Sequence, residues 1–242
     1  MQAVYRDLVP SGTLRAAVNF GNALVAHREG VGGEPRGLAV DLVNELARRL
    51  SVPSSVLEFE GVAGILEAGL DSTWDVAFLA IDPVHSKRFD FTPPFVVFEG
   101  TYVVRDNSPN RTVLDLDREG VCIAVAQDAT YDRYLTRTLR HAQLVRSPTF
   151  KRALELFLSE GFDAVAGLKQ PLAAFATANR GLHVIDGRFA AIEQAIAVPK
   201  GRSAGVRYLK AFVEEMKASG RVAASLECTR DLDAAAAPAG PH

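Results

Sequence analysis

The chain has 242 residues, with 27 Lys and Arg against 29 Asp and Glu for a formal net charge of −2, and 48% of its residues are hydrophobic. That content is ample for buried cores, in one large domain or two lobes of ordinary size. Neither sign of charge gathers into long blocks, so no phosphate backbone is an expected partner, and no apolar run approaches the about 18 residues needed to span a bilayer.

Residues 1–26 carry Arg6, Pro10 and Arg15 among apolar neighbours. They lack the charged start, apolar middle and small-residue cleavage site of a signal peptide. Either such a segment has been removed or the protein stays inside the cell. Residues 14–20 then read as a strand that leaves through Gly21-Asn22, and residues 37–50 (GLAVDLVNELARRL) place apolar side chains at helical spacing. A strand over 54–59, a short helix over 62–70 and a buried strand over 75–81 follow. The same order recurs as strand 121–126, helix 130–140, strand 143–146, helix 151–158 and strand 163–168. A strand over 194–200 and amphipathic helices over 203–219 and 221–226 close the ordered part. Residues 233–242 are small and punctuated by Pro and Gly, which predicts a loose tail.

Two α/β units are therefore expected, each with a mostly parallel, largely apolar sheet. The third strands begin alike, Trp74-Asp75-Val76-Ala77 beside Phe162-Asp163-Ala164-Val165. Pseudo-equivalent units would put the loops after Ile81 and Leu168 at matching strand carboxyl ends, where open α/β sheets bind ligands. Two helix-capping loops on the outside remain the plainer alternative.

The stretch from Asp82-Pro83-Val84-His85-Ser86-Lys87-Arg88 to Phe89-Asp90-Phe91-Thr92-Pro93-Pro94-Phe95 resembles extracellular solute-binding proteins of the polar amino acid type, which deliver ligands to ABC importers. Supporting pieces are Gly37-Leu-Ala-Val-Asp41-Leu42, Gly161-Phe162-Asp163-Ala164-Val165, Ala195 to Gly201 and Ala211 to Gly220. The resemblance covers roughly residues 14–226. It implies the two-lobed periplasmic-binding-protein-like fold, with lobe 1 at 1–97 plus 191–232, lobe 2 at 103–186, and hinge crossings at 98–102 and 187–190. Cys122 and Cys228 would then lie in different lobes, which argues against a disulfide.

In that family an arginine forks onto the ligand carboxylate, but His85 stands at its place, and a neutral imidazole offers at most one donor. Lys87 and Arg88 read as solvated. In lobe 2, Asp128-Ala129-Thr130 occupies the turn where relatives show an anion-binding Gly-Ser or Gly-Thr. Helix-start amides remain available there, Thr130 can cap the helix or touch the anion, and Asp128 would repel it unless turned away. Lys169 stands near the family's ammonium-holding aspartate, which suits a second negative charge or a carbonyl, or else a lysine lying on the rim. Asn19, Asn22, Phe59, Glu60, Ala80 and Asp82 complete the expected site at the lobe 1 strand ends, and Glu60 could restore a contact to an ammonium group.

The resulting expectation is a monomeric binding protein that captures a small carboxylate-bearing metabolite in an interlobe cleft for an ABC permease. No metal, redox cofactor or nucleophile motif appears among the five His and two Cys. Two alternatives stay open. One is a cyclohexadienyl dehydratase-like enzyme in which Glu60, Asp82 or Glu193 works with His85 as an acid-base pair. The other is a cytoplasmic ligand-sensing domain.

Overall fold

A computed structural model describes residues 1–23, 25–28, 32–69, 71–228 and 235–236. The chain divides into two compact units, Met1–Val97 with Glu193–His242 as unit 1 and Phe98–Ile192 as unit 2. In chain order the elements are α1 (Gln2–Leu8), β1 (Leu14–Asn19), β2 (His27–Arg28), β3 (Pro35–Arg36), α2 (Leu38–Leu50), β4 (Ser54–Phe59), α3 (Val62–Ala68), β5 (Val76–Ala80), β6 (Phe89–Phe91) and β7 (Val96–Arg105). There follow β8 (Cys122–Ala126), α4 (Thr130–Thr138), β9 (Gln143–Ser147), α5 (Phe150–Glu160), β10 (Ala164–Leu168), α6 (Lys169–Ala178), β11 (Leu182–Val184), β12 (Ala190–Pro199), α7 (Ser203–Ala218), α8 (Arg221–Cys228) and β13 (Ala235–Ala236).

In unit 1, β1 lies parallel to β4 on one side and to β5 on the other. The Gln194–Ala197 part of β12 then adds antiparallel to β5. Ala16, Ala17 and Val18 on β1 and Val76 to Leu79 on β5 are all at most 1% exposed, which explains their apolar, non-alternating sequence. Ala17, Ile65, Trp74, Ala77, Leu79, Phe89 and Ala197 form one core cluster. Inside it, the Trp74 indole N–H donates to the Ile65 carbonyl at 2.8 Å.

In unit 2, β8 is parallel to both β10 and β9. β10 runs antiparallel to β7, with Leu168 opposite Gly100. Ala153 and Phe157 of α5 and Leu172 of α6 close its core against Val103, Ala124 and Val165.

The likeness between Trp74-Asp75 and Phe162-Asp163 has a structural meaning. Asp75 donates its backbone N–H to the Arg15 carbonyl at 2.9 Å, and its Oδ2 accepts the Arg15 N–H at 3.1 Å. Asp163 repeats the pair on β8, donating to the Cys122 carbonyl at 3.0 Å and accepting the Cys122 N–H at 2.8 Å. Each aspartate thus closes the first and third strands of its unit at their amino ends. Only Asp75 is completely buried. The Arg15 guanidinium forks onto it at 2.9 and 2.8 Å, and Arg202 stands 3.4 Å away.

Several elements depart from the sequence reading. α1 was not expected, and it is fixed by Asp7, whose carboxylate accepts the N–H groups of Ala204 and Gly205 at 3.0 Å in the first turn of α7. The loop expected after Leu168 is instead α6, which Pro171 does not interrupt because a first-turn proline has no helical N–H to lose. β12 starts at Ala190 and not near 194. Within the 233–242 stretch, Ala235 and Ala236 pair with Val97 and Val96; the other positions expected as tail lie outside the described residues. Cys122 is a free thiol, and the Cys228 side chain lies outside the described part.

Asp75→Ala should cost about 3–5 kcal/mol of unfolding free energy, because it strands two partly buried guanidinium groups. Asp163→Ala, which loses hydrogen bonds at an exposed site, should cost about 1 kcal/mol. Urea denaturation of both variants checks the contrast.

Candidate functional site

In unit 1 the carboxyl ends of β1, β4 and β5 lie along one sheet edge, because the three strands are parallel and in register. Asn19 ends β1 with its Oδ1 accepting the Gly21 N–H at 3.0 Å, and the Phe20 N–H donates to the Phe59 carbonyl at 2.7 Å. This draws the two strand ends so close that a Cβ on Gly21 would stand 2.4 Å from the Glu60 carbonyl oxygen. A side chain at position 21 is therefore excluded by the Asn19 turn itself. Asn22 is half-buried and its carbonyl accepts the Val25 N–H at 2.9 Å. Phe59 lies against the unit 1 core, while Glu60 points to solvent.

After Ala80, which is 4% exposed, the chain turns at Asp82. Its Oδ1 accepts the Val84 N–H at 2.8 Å, and its carbonyl accepts the Ser86 N–H at 2.9 Å. Asp82 thus starts the short 3-10 turn His85–Lys87. Both Asp82 and His85 are buried, at 1% and 4% exposure. Lys87 and Arg88 are exposed as expected, and Arg88 lies over the Phe89 ring at 5.9 Å from its centroid. Glu193, considered above as an acid, is exposed, with its carbonyl accepting the Ile81 N–H.

In unit 2, β8 and β10 are parallel, so α4 and α6 both start at the same sheet edge. The N-cap of α4 is Ala129 and has no side-chain cap, so Thr130 is the first helical residue and not the cap its sequence position suggested. The turn is held from below. Asp128 adopts a left-handed φ of 60°, which sends its N–H back to Asp132 Oδ2 at 3.0 Å. Asp132 is 3% exposed, with its charge met by Arg146 at 3.0 Å. The Asp128 side chain is exposed, and its carbonyl accepts from Arg133 Nη1 at 2.8 Å. An uncapped helix start of this kind leaves first-turn backbone N–H groups available to an anion.

Lys169 opens α6 beside Glu99, as the Leu168–Gly100 register requires, and its Nζ lies 3.2 Å from Glu99 Oε2. Arg188 binds the other Glu99 oxygen at 2.8 Å. The sequence reading missed Glu99 and Arg188. Their signal lay in the strand register, which brings position 99 to the start of α6. Burial works to raise the Glu99 pKa, but hydrogen bonds from Arg188 and Lys169 outweigh it and hold the carboxyl below its ordinary value.

The sequence profile of the bacterial extracellular solute-binding proteins, family 3, matches residues 24–227. The chain belongs to this family. No curated protein sequence matches it. Among solved structures, ArgBP from T. maritima, in a mutant form, is similar at 24% identity and a TM-score of 0.78, covering 95% of this chain and 99% of that one. An ancestral amino acid-binding protein, a precursor of cyclohexadienyl dehydratase, is similar at 21% identity and a TM-score of 0.78, covering 92% and 97%. An amino acid ABC transporter substrate-binding protein from Streptococcus pneumoniae, bound to L-arginine, is similar at 19% identity and a TM-score of 0.78, covering 95% and 98%. These likenesses establish the two-lobed α/β fold of periplasmic binding proteins. Among the described residues, no helix of this family 3 solute-binding protein is long and apolar enough to cross a membrane.

Because the folded Glu99 pKa lies below 4.5, its contribution to stability is complete above that value and disappears as pH falls through the folded one. Glu99→Gln should therefore lose at most about 1 kcal/mol at neutral pH, the partial exposure of the pairs discounting more. The gap from the native protein should close as the pH falls below the ordinary carboxylate range. Urea melts across that range test the direction.

Proposed function

We propose that this family 3 solute-binding protein captures a small carboxylate-bearing metabolite, an organic acid or amino-acid-like compound, outside the cytoplasmic membrane and presents it to an ABC permease. The observation that carries the reading is the uncapped first turn of α4 at the carboxyl end of β8. Its amides suit a carboxylate, and Thr130 adds a hydroxyl beside them. Unit 1 offers Asn19, Asn22 and His85 at its own strand ends, with Phe59 as the apolar surface. Family membership supports binding without chemical conversion, as do two similar structures described as amino acid-binding or amino acid transporter proteins, one of them as a precursor of cyclohexadienyl dehydratase. Lys169, already paired with Glu99, adds little free positive charge for a second carboxylate.

A thermal-shift screen of carboxylates and amino acids, followed by titration calorimetry and a product assay on each hit, tests this. Saturable binding with the metabolite recovered intact is expected, whereas a released product would replace the binding role with catalysis. Asp128→Asn keeps a residue that tolerates the left-handed backbone and removes a negative charge near the helix start. It should tighten carboxylate binding about two- to five-fold at low salt. His85→Ala should weaken the same binding, and an unchanged dissociation constant would take His85 out of the site.

A further inference from the structure

Gln170, the second residue of α6, is 9% exposed, yet among the described residues neither its Oε1 nor its Nε2 meets a hydrogen-bond partner. A buried carboxamide left unpaired costs stability that an apolar side chain of the same size would not, so its presence needs a reason. From the same helix Leu172, two residues further along, is completely buried and fills the unit 2 core with an apolar side chain. The N-cap of α6 is Leu168, with no side-chain cap. Side chains in a first helical turn lean towards the helix amino end, which directs Gln170 at an uncapped helix start. That start shares its sheet edge with the start of α4, through parallel β8 and β10.

We propose that Gln170 is a specificity-determining ligand contact, whose carboxamide pairs with a neutral end group of the ligand that both donates and accepts, a carboxamide or ureido group. The inference rests on the proposed capture of a carboxylate-bearing metabolite and names the other end of that ligand. A carboxamide presents one acceptor and two donors, so only a group carrying N–H and C=O together satisfies both of its atoms. An anionic end would leave Oε1 facing oxygen. A cationic end would engage Oε1 alone and leave the donors of Nε2 unpaired.

Two probe pairs that differ only at the end group decide the matter: L-glutamine against L-glutamate, and L-citrulline against L-arginine. Calorimetry on the native chain should give at least a ten-fold lower dissociation constant for one neutral probe than for its charged counterpart. Gln170→Leu, and Gln170→Met as a variant matched in length, should lose that preference and bind the neutral probe at least ten-fold more weakly. Without ligand their Tm should be unchanged or higher, since an unpaired buried amide has been removed. A Tm lowered by several degrees with the dissociation constant unchanged would make Gln170 structural and overturn the role. A charged probe binding more tightly than its neutral partner overturns the end-group class. If none of the four probes binds while an organic acid from the screen does, the Gln170 contact falls and carboxylate capture stands; if no carboxylate of any kind binds, both fall.

Discussion

The completely buried carboxylate of Asp75 is the interaction on which the unit 1 sheet depends. A carboxylate loses its hydration there, and the loss is tolerable only because a guanidinium fork, a second arginine and a backbone N–H surround it. Arg15 places β1, Asp75 places β5, and Arg202 reaches from the start of α7 to the Asp7 carbonyl of α1 at 2.8 Å. One charge thus fixes two strands and two helices at the amino end of the sheet. The opposite edge inherits its order. Once β1 and β5 are locked in register, with Ala16 beside Val76 and Ala17 beside Ala77, their carboxyl ends at Asn19 and Ala80 are fixed one residue out of step, and the turns carrying Asn22, Asp82 and His85 start from a fixed line.

Unit 2 reaches a similar arrangement with less charge. Asp163 reproduces the two backbone contacts of Asp75 without arginines, and the ion pair moves to the other edge, where an exposed Arg146 meets the buried Asp132. That displacement matters for the proposed role. Asp132 braces the backbone of Asp128 from inside the fold, so the first turn of α4 is held in shape without a side-chain cap covering its amides. Arg146 neutralises the brace, and its negative charge does not oppose an anion at the helix start.

The alternation of strand and helix, and with it the α/β class, was legible because buried parallel strands read as apolar runs and α2, α4, α5 and α7 carry helical periodicity. The aspartates before the third strands were visible as a repeated pair of residues, although their purpose depends on contacts 60 and 41 residues away. α1 was hidden because Arg6 and Asp7 interrupt an apolar segment, and Asp7 makes sense only once α7 packs against it. α6 was hidden by Pro171 and by a run of alanines with little amphipathic contrast. At the candidate site, residue types at strand ends could be named, but their engagements could not. Asp82 and Asn19 each hold their own turn, and Lys169 is paired with a residue that only the strand register brings near.

These engagements change how recognition has to work in the proposed binding role. The lysine that composition alone would offer to an anion is tied to Glu99, Arg88 lies over an aromatic ring at the surface, and Arg146 serves Asp132. Lys169, Arg88 and Arg146 are thus engaged by the protein's own carboxylates or by a ring, whereas the neutral donors at the start of α4 are held in shape without a side-chain cap. Hydrogen bonds from fixed backbone amides to a carboxylate are charge-assisted yet need no buried counter-ion, so they avoid the desolvation that a buried guanidinium would have to offset. In the proposed role, a carboxylate held chiefly by pre-positioned amides would leave selectivity to the groups at the ligand's far end, where a buried carboxamide such as that of Gln170 would discriminate more sharply than another positive charge.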